Sequence, residues 1–438
     1  MKRILIIPIL FLTTAFAGSP KIDSTRLFIK LKSGANMPES QLILKSKHLF
    51  KENYILTTTD AQSLALELAA NRDIISTENN YYADAKQLPK EMHTKANDPV
   101  MNFNAFNDPK AGRVWSFASA AKNGVSVDKS YLSPLGLEKE EIIVAVVDTG
   151  VDYNHEDLKA VMWHNPGEIA GNNIDDDNNG YIDDVYGINT MDKDANGNST
   201  GDPMASHSHG THVSGTIAAA QNNNVGIAGI ASNVKIMAIR AVPDNADETD
   251  ADVVESYLYA AKHGAKLINC SFGKRLNEGG MIVNETIDHI GQDYGVLVFA
   301  AAGNDYGRNI DSDLVYPASF QSDYLLVVAS TKKSGGLSWF SNVGVKNVDL
   351  AAPGSDIYSS VPGNRYAKMS GTSMATPTSV GVAAEVLSNF PQLGPKQLKK
   401  VLMNAVTPIK KFKKKMAAGG RIDLYNSLQY TLENYINL

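Results

Sequence analysis

From Glu141 onward the chain alternates short, largely apolar runs with segments of helical length, and few folds accommodate that pattern. The runs are Ile142 to Val147, Ile236 to Val242, Leu267 to Cys270, Val296 to Ala301 and Leu325 to Ala329. Helices are predicted over 209–220, 250–263, 285–293, 375–389 and 395–405. A strand that is apolar on both sides must be covered on both sides. The pattern therefore predicts an α/β fold, a parallel sheet flanked by helices on both faces. In such sheets functional groups gather at the carboxyl ends of the strands. Asp148 follows the first run directly, and Asn304 lies just past the fourth.

Four segments carry candidate chemistry: Val146-Val147-Asp148-Thr149-Gly150, His209-Gly210-Thr211-His212-Val213-Ser214-Gly215, Ala301-Ala302-Gly303-Asn304 and Ser370-Gly371-Thr372-Ser373-Met374-Ala375-Thr376-Pro377. A serine hydroxyl becomes a useful nucleophile when an adjacent base takes its proton. Histidine suits that task, and a buried carboxylate fixes its tautomer and stabilises its charged form. A strand-end Asp148, His209 in the first turn of a helix and Ser373 opening another helix can converge on one point. Pro377 fits an early helical position, because the first turn leaves its N–H groups unpaired. Those N–H groups, with the Asn304 amide, can donate to a developing oxyanion. Taken singly, each residue could be a cap or a surface group; their joint spacing has no such explanation.

Together, in the order Asp, His, Ser, these segments resemble the signature motifs of the subtilisin-like serine proteases. The resemblance covers roughly residues 97 to 430, including Gly420-Arg421-Ile422-Asp423-Leu424. It implies a serine endopeptidase with Asp148, His209 and Ser373 as its triad and Asn304 as an oxyanion donor. His207 and His212 are then structural or solvent-facing. The resemblance also implies that Ser271-Phe272-Gly273 and Gly303 line a cleft where an extended substrate adds itself as a strand. Tyr316-Pro317-Ala318 is similar to a family turn whose proline is cis. Two other classes stay open. A catalytically silent binding protein on the same fold would lack a triad member. An ester or lipid hydrolase would carry a Gly-x-Ser-x-Gly elbow, and no such elbow is read here.

Before the apolar alternation begins, residues 25 to 85 read as a small α+β unit. Leu27 to Leu31 forms a strand, Gln62 to Ala70 a helix, and further strands lie near Tyr54 and Ile75. Residues 91 to 133 are rich in Asn, Asp, Pro and Lys, which suits an exposed linker and an irregular lead-in. The resemblance implies that 18–96 is a propeptide that guides folding, inhibits the enzyme and is cut off by it. The cut is expected between about Lys86 and Asn97, leaving 97–438 as the catalytic domain. A permanent accessory domain is the alternative.

Residues 1–17 read as a signal peptide, with Lys2 and Arg3, an apolar core from Ile4 to Phe11, and Ala15-Phe16-Ala17 as the cleavage site. The apolar stretch is too short to anchor, since a span needs about 20 residues. A secreted protein, extracellular or periplasmic, is expected. Cys270 is the only cysteine, which excludes an intramolecular disulfide. Its apolar surroundings mark it as buried and inert. The net charge of -6 points neither to nucleic acid nor to an anionic membrane. The basic run Lys410-Lys411-Phe412-Lys413-Lys414-Lys415 reads as solvated surface. A monomer acting on protein or peptide substrates is expected.

The insertion from Asn172 to Asp184 is dense in Asp and Asn, which can wrap a calcium ion through several oxygens. Asp175, Asp177, Asn179 and Asp183 are its candidate ligands. The loop begins like an EF-hand, but Tyr186 stands where a bidentate Glu is expected, and a solvated acidic loop is the alternative. Asp157, with the loop Asn222-Asn223-Asn224, is similar to a recurrent calcium site of the family. Calcium there would stabilise the fold and take no part in the chemistry.

Overall fold

The computed structural model describes residues 21–83, 91, 100–244, 248–275 and 281–435. The expected signal peptide and most of the expected cleavage region lie outside them.

The N-terminal unit comprises β1 (Ile22–Leu31), β2 (Ile43–Phe50), β3 (Asn53–Thr58), α1 (Ala61–Leu68) and β4 (Ile74–Tyr81). The strands form an antiparallel sheet in the order β2-β3-β1-β4. Asp60 caps α1, its carboxylate accepting from the N–H groups of Gln62 and Ser63 at 3.1 Å. Leu27, Ile29, Leu31, Leu56, Leu64 and Leu68 make a core under that helix. Phe28 and Phe50 point the other way and join the core of the larger domain. Strand β2 was not legible in the sequence, because its polar residues leave it largely exposed.

The larger unit begins with α2 (Val127–Leu132), β5 (Ile142–Asp148), β6 (Gly187–Lys193), β7 (Ser199–Thr200), α3 (Ser208–Ala218) and β8 (Val234–Arg240). Next come α4 (Asp250–Lys262), β9 (Leu267–Cys270), α5 (Met281–Asp293), β10 (Leu297–Ala301) and β11 (Leu325–Thr331). Then follow β12 (Leu350–Pro353), β13 (Ile357–Val361), β14 (Arg365–Met369), α6 (Thr372–Asn389) and α7 (Pro395–Asn404). Strands β15 (Thr407–Pro408) and β16 (Gly420–Arg421) and helix α8 (Leu424–Tyr435) close the unit.

The main sheet runs β15-β16-β12-β11-β10-β9-β5-β8-β6-β7, parallel throughout except for a two-residue antiparallel strand at each edge. Successive residues of a strand face opposite sides, and both sides are apolar here. Val144 and Val146 join a core with α3, α6, α7 and α8. Ala145 and Val147 join another with α4 and α5. Helices thus cover both faces, as the apolar runs required. Helix α6 is buried along its whole length. Strand β8 ends two residues short of the apolar run, because the N–H groups of Ala241 and Val242 turn to the carbonyl of Asp148 (2.9 and 3.1 Å). The basic run is pinned by buried Phe412 and Met416, while its lysines are exposed.

Candidate active site

Strands β10, β9 and β5 are neighbours, and their register decides which residues meet at the carboxyl edge. Val147 pairs with Cys270, and Cys270 with Ala300. The residues that follow, Asp148, Ser271 and Ala301, therefore stand side by side, with the Gly303-Asn304 turn just beyond.

Helix α3 brings His209 to this edge. Gly210 allows the approach: a Cβ there would lie 2.1 Å from the Gly150 carbonyl oxygen. His207 caps the helix, its Nδ1 accepting from the His209 N–H at 3.2 Å. Burial lowers the His207 pKa, which keeps that acceptor unprotonated. His209 Nδ1 lies 2.7 Å from Asp148 Oδ1, and both side chains are almost wholly buried. His209 Nε2 is buried with no hydrogen-bond partner among the described residues. His212, one turn on, donates from Nε2 to the Ile357 carbonyl at 2.9 Å, and burial pushes its pKa down to about 3. It is a structural histidine.

Helix α6 starts at Thr372 and packs against α3. Ser373, its second residue, has an N–H with no carbonyl one turn earlier within the helix. Its hydroxyl donates to the Ser271 carbonyl at 2.9 Å rather than to His209. The position of Pro377 differs from expectation. It is the sixth helical residue, beyond the first turn, so it does remove a helical bond, the one to the carbonyl of Ser373. Ser271 Oγ supplies the missing donor at 3.1 Å. The proline four residues after Ser373 was the signal in the sequence that a partner must be found.

Asn304 Oδ1 accepts from the Thr372 N–H at 2.9 Å and from Thr372 Oγ1 at 3.0 Å. Thr372 Oγ1 also accepts from the Gly303 N–H at 3.1 Å. With its oxygen held, the amide keeps its NH₂ for other acceptors. Thr372 was not singled out from the sequence.

Ser271-Phe272-Gly273 continues from β9, and Lys274 pairs antiparallel with Tyr316, whose bond to Pro317 is cis as expected. Phe272, Gly273, Lys274, Tyr316 and Phe320 line a small cavity with Ala83, which follows the N-terminal unit. There Tyr82 bridges to Thr249, and the Ala83 N–H donates to the Glu248 carbonyl at 2.8 Å. The unit itself rests on the starts of two helices. Glu78 Oε2 accepts from the N–H groups of Met281 and Ile282 at 3.2 Å, and Asn80 Oδ1 from that of Ala251 at 2.9 Å. Lys30–Glu285 at 2.8 Å, Lys47–Glu255 at 3.0 Å and a ring stack of Phe50 on His289 add to the contact. Further along, Glu91 bonds to the hydroxyl of Ser208, the residue before His209, and pairs with Arg365 at 3.5 Å.

Two other candidate nucleophiles are excluded by their surroundings. Burial pushes the Cys270 thiol up to about 12, leaving it protonated. Gly197-Asn198-Ser199-Thr200-Gly201 spells Gly-x-Ser-x-Gly after all, but Ser199 lies in edge strand β7 with no helix directly after it. Its hydroxyl is held between Lys193 and Glu255, both at 2.8 Å.

The acidic loop gathers two of its expected residues with one from outside it. Asp175 and Asp177 converge with Glu168, which the sequence did not single out, their oxygens lying within 4.8 Å of one another. Glu168 Oε2 is buried and unpartnered among the described residues. Burial, with Asp184 and Asp177 nearby, raises the Glu168 pKa. A convergence of carboxylates with an orphaned oxygen fits a hard cation. Asp183 instead accepts the N–H groups of Gly171, Asn172 and Asn173 (2.7, 3.2 and 2.9 Å). Asn179 spends its Oδ1 on the Tyr181 N–H at 2.8 Å. Asp175 and Asp177 are engaged in the same way, accepting from the Asn179 and Gly180 N–H groups at 2.9 to 3.0 Å. Asp157 lies outside this group, and its carboxylate accepts from Asn223 Nδ2, the Ile227 N–H and the Tyr366 hydroxyl at 2.8 to 2.9 Å.

A model of the family described as the subtilase family matches residues 139–423. Subtilisin-like protease 1 of Plasmodium berghei (strain Anka) is 34% identical over 308 residues, covering 66% of this chain and 50% of that protein. A thermophilic serine proteinase of Bacillus sp. (strain AK1) is 38% identical over 245 residues, covering 56% and 52% respectively. The chain thus spans about half the length of these curated relatives. A solved protease structure from Pseudoalteromonas arctica PAMC 21717 superposes with a TM-score of 0.60 at 23% identity, covering 74% of this chain and 99% of that one. That likeness concerns the fold.

Proposed function

The chain belongs to the subtilase family, and from that premise we propose that it is a serine endopeptidase, exported and made as a self-cleaving precursor. The observation that carries this reading is the buried pair of His209 and Asp148 at 2.7 Å, with Nε2 of the same ring left unengaged among the described residues. In the reaction Ser373 Oγ leaves the Ser271 carbonyl, gives its proton to His209 Nε2 and attacks the scissile carbonyl. Asp148 keeps Nδ1 protonated and stabilises the imidazolium. The Asn304 NH₂ and the Ser373 N–H hold the oxyanion. His209 then protonates the leaving amine, and water hydrolyses the acyl-enzyme. The substrate pairs along Ser271-Phe272-Gly273, near Gly303, as an added strand.

Residues 18–96 act as the propeptide. What supports this is the docking of the N-terminal unit on α4 and α5, with Ala83 at the cleft cavity and Glu91 beside the start of α3. The chain between these two points is the inhibitory stretch, and the cut falls between about Lys86 and Asn97. The leader at 1–17 directs export, and among the described residues no helix is long and apolar enough to cross a membrane. Calcium binds at Glu168, Asp175 and Asp177, where it neutralises the converging carboxylates and steadies the loop. The protein works as a monomer.

The test is the intact mass of protein expressed without residues 1–17, for wild type and Ser373→Ala side by side. The proposal expects a shortened wild type beside an uncut alanine variant. Two full-length products would sink self-processing, and two shortened products would assign the cut to another protease.

A further inference from the structure

Two large aromatic side chains stand in the open beside the Asn304 turn. Tyr306 is 77% exposed and Trp339 is 70% exposed, and their ring centroids lie 5.2 Å apart. Single exposed apolar residues are ordinary, but a contiguous exposed aromatic patch points to something that covers it. Trp339 meets buried Phe340 edge to face at 5.7 Å, yet both outer rings keep most of their surface in solvent, more than that contact requires.

The backbone beneath the rings is rigidly held. The Tyr306 N–H donates to the Phe340 carbonyl at 3.0 Å. Asn342, wholly buried, then ties the two loops together. Its N–H donates to the Gly303 carbonyl at 3.0 Å. Its Nδ2 donates to the Ala302 carbonyl at 3.0 Å and to Asp305 Oδ2 at 2.9 Å, while its Oδ1 accepts from the Asp305 N–H at 2.9 Å. Gly303 makes room for this: at φ +96° a Cβ would lie 2.6 Å from Asn342 Nδ2. The bracket that shapes the Asn304 turn is therefore the one that carries the rings. Asp305, between Asn304 and Tyr306, is engaged by Arg275 and Asn342, so the platform presents apolar surface rather than an unpaired acid.

An extended peptide advances about 3.3–3.6 Å per residue, so a platform two residues along the chain from Asn304 is within reach of side chains next to the scissile bond. We propose that Tyr306 and Trp339 form a specificity-determining subsite that takes one aromatic or large aliphatic side chain of the substrate. The inference rests on the endopeptidase reading above. Rings stacked against a substrate side chain would bury surface on both partners and favour offset or edge-to-face contacts.

The experiment uses processed protein and quenched fluorescent peptides varied one position at a time on both sides of the cut. Processed wild type must cleave, and must stop once a serine-directed covalent inhibitor has blocked Ser373; failure here sinks the endopeptidase reading itself. Given activity, Trp339→Ala and Tyr306→Ala should lower kcat/KM roughly tenfold for peptides with Phe, Trp or Leu at one position. Peptides with Gly at that position should change by less than about twofold, and Trp339→Phe should recover most of the loss. Titrating the reactive serine normalises each variant to its folded fraction. An equal loss on every peptide, or no loss on any, would overturn the subsite.

Discussion

Ser271 and Ser373 exchange hydrogen bonds. The Ser373 hydroxyl donates to the Ser271 carbonyl at 2.9 Å, and the Ser271 hydroxyl donates to the Ser373 carbonyl at 3.1 Å. The first bond occupies the hydroxyl that must reach His209, and the second replaces the donor that Pro377 lacks. The candidate nucleophile is thereby held against the strand beside Asp148.

That exchange predicts the behaviour of Ser271→Ala. The Ser373 carbonyl would be left buried and unsatisfied, at a cost of about 1–3 kcal/mol in unfolding free energy. Pro377→Ala restores a helical N–H in the place where Ser271 Oγ donates. The double variant Ser271→Ala/Pro377→Ala should therefore be more stable than Ser271→Ala alone in urea titrations. Simple additivity of the two changes would count against the replacement role.

Asn304→Ala should lower kcat with little change in KM. In subtilisin, loss of the oxyanion-hole asparagine costs about 100- to 1000-fold, a magnitude taken over from that enzyme. Thr372→Val removes the hydroxyl that holds Asn304 Oδ1 and should give a smaller loss in kcat. Single-turnover kinetics with an active-site titre checks both. An unchanged kcat in Asn304→Ala would remove it from the mechanism.

His212 predicts how stability varies with acid. Burial holds its folded pKa at about 3, against about 6.5 for an exposed imidazole. Between these values the unfolded chain binds a proton that the folded chain does not. Its contribution is thus intact above pH 6.5 and declines on acidification by about 1.4 kcal/mol per pH unit. His212→Gln, made in inactive Ser373→Ala to prevent autolysis, keeps an amide for the Ile357 carbonyl and should flatten the curve by about one proton. Parallel slopes for the two proteins would refute this.

Calcium should raise the melting temperature of Ser373→Ala by about 5 °C at saturating concentration, and a chelator should reverse it. Glu168→Gln and Asp177→Asn should abolish the response. Asp157→Asn should retain it, because that carboxylate lies outside the converging group. A response lost through Asp157 instead would move the ion to the other loop.

Much of the catalytic fold was legible because burial on both faces leaves a plain trace. Ile142 to Val147 and Val296 to Ala301 had to be central strands, and the helices between them had to cover two faces. Strand β2 was hidden by its lysines, and α5 begins earlier than expected, at Met281. In the acidic loop the spacing pointed to Asp175 and Asp177, while Glu168 came to them from outside the motif, which only the folded loop shows.

The sequence by itself determined the alternation of elements, the residue types able to move a proton, and the carboxyl edge where they would collect. These follow from periodicity and chemistry, which are local properties. Only the tertiary structure decided that Ser373 rests on Ser271, that Asn342 brackets the Asn304 turn, and that Tyr306 meets Trp339 in the open. Those pairings join residues 33 to 102 positions apart. Strand register and helix packing set them, and no local pattern encodes which distant donor will satisfy a given buried acceptor.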